Sequence, residues 1–255
     1  MKPKSIALSI IAFAAASPAF AGEMAPPAPM PPAPPSGGGS LFDEVGAEIS
    51  LGYDTDYIFR GVNFGDHLIS GAINLDVPLS DMVGLSLGSW YGSLAESPYD
   101  ELDLLAGLTF DLGAVELGIG ATWYYFPDTP SVGVDGDAFE LGASLGTSVG
   151  PVDLTVAYFY DFETEGSYIE AGASTSFEVN EWLSIEPYAA VAYNVDYYID
   201  GDGWNHIALG LAFPISLTDT ATLKPYVAGN LPLDVIEDTG ADDEVVGGVS
   251  LSVSF

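Results

Sequence analysis

From Leu41 to Phe255, apolar residues fall at almost every second position. Val115, Leu117, Ile119, Ala121, Trp123 and Tyr125 are separated by Glu116, Gly118, Gly120, Thr122 and Tyr124. Phe139, Leu141, Ala143 and Leu145 alternate with Glu140, Gly142, Ser144 and Gly146. Val152, Leu154, Val156, Tyr158 and Tyr160 alternate in the same way with Asp153, Thr155, Ala157, Phe159 and Asp161. Successive side chains of a strand point to opposite faces, so a period of two predicts strands with one apolar face and one small or acidic face. About twelve such runs can be counted, over 45–58, 67–77, 83–94, 101–111, 114–126, 137–149, 152–162, 167–178, 183–196, 204–216, 222–232 and 243–255.

The connections alternate too. Short ones at 78–82, 112–113, 150–151, 179–182 and 217–221 are interleaved with longer, more acidic ones near 60–66, 95–100, 127–136, 163–166, 197–203 and 233–242. This rhythm predicts an all-β, up-and-down antiparallel sheet with both termini on the short-turn side. Alternation alone fits a dry core or a lipid-facing exterior equally well. Run lengths of roughly 10–13 residues favour tilted membrane strands over soluble ones, whose usual length is about 5–6. Aromatics gather where strands meet the long connections: Tyr53, Tyr57, Phe59, Trp90, Tyr91, Trp123 to Phe126, Tyr158 to Tyr160, Phe162, Tyr193, Tyr197, Tyr198 and Trp204. They predict a girdle at a membrane–water boundary. In lipid an open sheet edge would leave backbone groups unpaired, so the sheet is expected to close. The expectation is an outer-membrane β-barrel over 41–255, both termini periplasmic, in a Gram-negative-type bacterium.

Both ends of the chain fit that expectation. Met1 to Ala21 has a basic start (Lys2, Lys4), an apolar centre and Ala19-Phe20-Ala21 before Gly22, the layout of a secretory signal peptide cut after Ala21. Gly22 to Ser40 is Pro/Ala-rich and closes on a Gly/Ser joint, a linker composition. The alternation of Val249, Leu251 and Val253 with serines, ending on Phe255, resembles the signal read by the barrel assembly machinery.

Composition narrows the function. Four basic residues stand against 37 acidic ones, a formal charge of −33, which excludes nucleic acid and polybasic membrane docking. At 48% hydrophobic the chain is too apolar for an acidic disordered segment. It has no cysteine, so disulfides, thiolate metal sites and thiol catalysis are excluded.

Leu51 to Val62 reads LGYDTDYIFRGV, and its Asp56–Gly61 stretch, DYIFRG, resembles the opening of the TorF-type porin family. The resemblance is specific over these twelve residues and implies an outer-membrane barrel of undefined cargo. After Gly61 this chain departs from the family with Asn63-Phe64-Gly65-Asp66.

By strand phase, with Tyr53, Tyr57 and Phe59 toward lipid, Asp54, Asp56 and Arg60 share the interior face, where they form a candidate charge network. The same phase turns Glu48, Asp76, Glu101, Asp103, Asp111, Glu116, Glu140, Asp153, Asp161, Glu170, Glu178 and Glu186 inward, with Lys224 a candidate partner for one of them. A water-filled pore so lined would concentrate cations. The expected function is passive, cation-preferring diffusion of small solutes. The alternative is a closed structural or surface-binding barrel.

His67 and His206, placed near the rim, lie in no hydrolase motif, so no catalytic residue is assigned. The oxygen-rich loops Asp135–Asp137, Asp200–Gly203 and Asp238–Glu244 lack an EF-hand order and read as ordinary turns rather than Ca²⁺ sites bridging to lipopolysaccharide. The expected partners are outer-membrane lipid, lipopolysaccharide and the assembly machinery. No cofactor is expected.

Overall fold

A computed structural model describes residues 45–127 and 137–255. The signal segment 1–21 with Ala19 and Ala21, the linker 22–40, and Asp135 and Gly136 lie outside the described residues. The strands are β1 (Gly46–Phe59), β2 (Val62–Ser80), β3 (Val83–Leu94), β4 (Asp100–Asp111), β5 (Glu116–Tyr125), β6 (Asp137–Val149), β7 (Val152–Asp161), β8 (Ser167–Thr175), β9 (Phe177–Asn180), β10 (Leu183–Val195), β11 (Asp202–Ala212), β12 (Ile215–Ser216), β13 (Ala221–Pro232) and β14 (Glu244–Ser254). One short helix, α1 (Asp234–Glu237), sits in the last long connection. β8 and β9 both pair with β10, and β11 and β12 both pair with β13, so the fourteen segments make twelve staves. Phe213-Pro214 separates β11 from β12, where proline has no N–H for the ladder.

All pairings are antiparallel, and β14 closes on β1 in the register Leu51↔Leu251 and Glu48↔Ser254. The sheet is a closed barrel without a free edge, as the period predicted. β1 begins and β14 ends on the rim that carries the short turns.

The barrel is apolar outside. Leu51 is 65% exposed, Ile69 57% and Leu145 53%, and Ile73, Leu104, Ile119, Val156 and Leu209 face outward with them. Contiguous apolar surface on this scale marks a membrane-facing or partner-facing wall. The intervening glycines, serines and carboxylates turn inward.

The largest departure from the sequence expectation is the β1–β2 hairpin. The long loop expected at 60–66 is a two-residue turn, with Phe59 paired to Val62 and positive φ at both Arg60 (49°) and Gly61 (83°). That is the backbone of a type I′ hairpin turn. Just below it, Tyr57 pairs with Gly65 but Ile58 pairs with Asn63, leaving Phe64 as an extra residue. A bulge of this kind bends the strands and breaks their phase. The tip leans over the mouth and enters the lumen, where Gly61 O accepts a 3.0 Å hydrogen bond from Asn230 Nδ2 of β13. A Cβ on Gly61 would stand 2.6 Å from Asn205 Oδ1 and 2.8 Å from His206 Nδ1.

Candidate functional site

The interior has two halves. Toward the short turns the inward positions are small or hydrophilic: Ser50, Asn74, Ser86, Gly107, Gly118, Ser144, Thr155, Ser174 and Ser250. Toward the long connections they are large. Tyr57, Leu68, Trp90, Leu94, Tyr99, Tyr124 and Phe126 form one buried cluster, and Phe159, Tyr168 and Tyr197 belong to another. The aromatic girdle expected at the rim is therefore split. Tyr53, Tyr91, Tyr125, Tyr158, Phe162 and Trp204 face outward, while Tyr57, Trp90, Tyr124, Phe126, Phe159 and Tyr197 are buried inside. Tyr57 is inside because the hairpin tip is covered on both faces, its neighbour Ile58 being buried as well, and simple alternation explains Trp90, Tyr124 and Phe159.

At the centre of the packed half is Arg60, 5% exposed. Its guanidinium forms an ion pair with Glu140 of β6, using both terminal nitrogens, with Nη2 donating to Oε1 at 3.0 Å. Nη1 also bonds Tyr197, whose hydroxyl donates to Glu140 Oε2 at 2.7 Å. The guanidinium carbon lies 4.2 Å from the Phe159 ring centroid, 4.8 Å from Tyr168 and Tyr197, and 4.9 Å from Phe59. A weakly hydrated, delocalised cation suits such an aromatic box. Burial raises the Tyr197 and Tyr198 phenols of the 196–201 loop above their ordinary value, so both remain protonated donors.

Tyrosines satisfy three of the other buried carboxylates, Glu101, Glu170 and Asp54. Tyr57 and Tyr99 both donate to Glu101 Oε2 at 2.6 Å, Tyr168 to Glu170 at 2.8 Å, and Tyr226 to Asp54 at 2.6 Å. Asp161 accepts the backbone N–H groups of Glu163 and Thr164, at 2.9 and 2.8 Å, and so caps the turn after β7. This repeated tyrosine–carboxylate pairing was missed by sequence reasoning. Its signal was present: four adjacent aromatics, Trp123 to Phe126, cannot all face lipid on a strand of period two.

The sequence candidates fall into distinct groups. Asp54, Arg60, Asp76, Glu101, Asp103, Glu140, Asp161 and Glu170 are buried, Asp56, Glu116 and Glu186 are half-buried, and Asp153 is exposed. The expected network of Asp54, Asp56 and Arg60 is not formed. The tip carries Arg60 away to Glu140, Asp54 turns to Tyr226, and Asp56 accepts from Thr55 Oγ1 at 2.6 Å. Lys224 pairs with Glu186 at 3.2 Å in the small-residue half. His67 lies at the rim, its Nδ1 2.8 Å from the Tyr53 hydroxyl. His206, also placed near the rim by its sequence, is instead 2% exposed, because a wall irregularity near Val191 turns both Asn205 and His206 inward under the hairpin tip. Outside, the Val249, Leu251 and Val253 side of β14 forms the closing seam with β1, and Phe255 is 73% exposed at the rim.

Comparison with known proteins gives a family and a fold. A family described as a bacterial protein of unknown function (Gcw_chp) matches residues 38–227, and the chain belongs to that family. No curated protein matches. Among solved structures, the barrel is similar to the COG4313 outer membrane channel from Pseudomonas putida F1, with 14% identity and a TM-score of 0.51 over 83% of this chain and 95% of that one. The NanC porin is similar at 9% identity and TM-score 0.52 over 81% of this chain and 98% of that one. The KdgM porin is similar at 12% identity and TM-score 0.51, over 82% and 99% respectively. At these identities the likeness concerns the fold.

Proposed function

We propose that this member of the Gcw_chp family is a porin-like channel of the outer membrane, passing small solutes and preferring cations. The observation that carries the reading is the inverted distribution of polarity: apolar side chains outside a closed sheet, and hydrophilic ones around the interior. The TorF-type resemblance of Asp56–Gly61 and the porin and channel names of the fold neighbours point the same way. The outward seam of Val249, Leu251 and Val253, with Phe255 beyond it, supports insertion by the assembly machinery, with lipid and lipopolysaccharide as the surroundings.

The support for a preference for cations is the acidic lining of the narrow half. Asp54, Glu101, Asp103, Glu140, Asp161 and Glu170 are buried there, with Arg60 paired to Glu140, and carboxylates with low-dielectric walls focus a negative potential. The Arg60 tip and its aromatic surroundings narrow the path. A second reading, a closed barrel with no transport, is favoured by that same packed layer. Planar-bilayer recording of refolded protein under a KCl gradient separates the two. Unitary steps with a cation-side reversal potential are expected. An anion-side reversal would refute the selectivity, and a silent bilayer would leave the closed barrel.

A further inference from the structure

Beside the Arg60 tip, a pocket of about 460 Å³, counted with its part open to solvent, enters the packed half from the long-connection end. Its walls are mostly rings, Phe59, Phe64, Tyr99, Tyr124, Phe126 and Tyr198 among them, with Glu101, Asn205 and the Glu140-paired Arg60 as polar lining groups. Phe59, Phe64 and Tyr198 are partly exposed and give access from the mouth. We propose that this pocket binds a small organic cation, an alkylated ammonium group.

Three observations select that chemistry. The faces of aromatic rings carry negative charge density and attract cations that are poorly hydrated. The guanidinium of Arg60 in the wall is already matched by Glu140, whereas Glu101 has no basic side chain within ion-pair distance among the described residues. Asp103, two residues on along the same strand face and behind the pocket lining, is 4% exposed and its Oδ1 has no hydrogen-bond partner in the protein. An anion would meet this acidic surround unfavourably. A neutral polyol would find mostly ring faces where it needs hydrogen-bond partners. An ammonium centre with methyl groups satisfies both the apolar walls and the carboxylate charge. The proposal concerns binding and stands whether or not the barrel conducts.

The test is a calorimetric titration of full-length refolded protein in detergent micelles with choline, compared with 3,3-dimethylbutan-1-ol, which has the same shape without the charge. Choline should bind saturably at one site. The uncharged analogue should bind about tenfold or more weakly, and Glu101→Gln should weaken choline by a similar factor. Phe126→Leu, which keeps an apolar wall but removes a ring face, should weaken choline several-fold and leave the alcohol unchanged. If Glu101→Gln fails to give a folded barrel, Asp103→Asn and Phe126→Leu carry the test. Equal binding of choline and the alcohol, or no saturable heat from choline with wild-type protein, would overturn the proposal. Because no current is measured, that failure is distinct from failure of the channel reading.

Discussion

The two halves of the lumen share one wall and one strand period but are filled in opposite ways. Near the short turns the inward residues are Gly, Ser, Thr and Asn, with charges such as the Lys224–Glu186 pair only partly covered. Near the long connections, rings and carboxylates pack until Tyr168, Asp161 and Leu68 are fully buried. Backbone architecture therefore does not decide whether this barrel is hollow. Side-chain size at inward positions decides it, together with one hairpin bent through the mouth. Neighbouring glycines make room for that filling: a Cβ on Gly248 would collide with Asp54 and the Tyr226 ring, which reach across the β13–β14–β1 corner.

The comparison is tested hardest at Arg60. Removing one partner of a buried ion pair leaves the other charge unmatched, so Arg60→Ala should cost about 3–5 kcal/mol in urea unfolding of the micelle- or liposome-refolded barrel. If the midpoint does not move, the packed half is not organised around this side chain. Next in size is the outer wall. Leu51→Arg, near the middle of β1 and facing outward, should cost about 2–4 kcal/mol in liposomes, as for a cation at the bilayer midplane. Its neighbour Ser50→Arg, facing the hollow half, should stay within about 0.5 kcal/mol of wild type. Equal effects of the two would remove the distinction between lipid face and water face.

Gly61→Ala probes the turn itself. Positive φ and the close approach of Asn205 and His206 together should cost about 1–3 kcal/mol, measured by the same unfolding assay. A neutral result would mean that the tip is not seated as described. The smallest effect belongs to Lys224→Ala. Its partly exposed pair with Glu186 should contribute at most about 1 kcal/mol, falling further in high salt. A larger loss would mean that the small-residue half is drier than its composition implies.

The wall was legible because its rule is local. Alternation in β5, β6 and β7 determines which residues share a face, and the spacing of turn residues gives the up-and-down order. The filling was less legible, for two physical reasons. The β1–β2 tip lies inside the lumen, so both of its faces are covered and alternation no longer sorts its residues: the neighbours Tyr57 and Ile58 are both buried. That is why Tyr57 and Phe59 were expected on lipid and pack against Phe64 and Tyr124 instead. Distance along the chain is the second reason. Nothing near Arg60 names Glu140, 80 residues away, as its partner, and an Asp-x-Asp pattern close by in sequence offered a nearer but unused one. The Arg60-Gly61 pair itself carried a usable cue, since glycine in the second central position suits a tight hairpin turn better than the start of a long loop.

The spacing of its partners along the chain gives the bent hairpin one more role. Its tip is made early, yet Asn230 lies 169 residues downstream and Tyr226 lies 172 beyond Asp54. Long-separation contacts form late because chain closure must precede them. The Arg60 anchors, Glu140 and Tyr197, come earlier than Asn230, so the first hairpin gains its last contact only when the closing staves are in place.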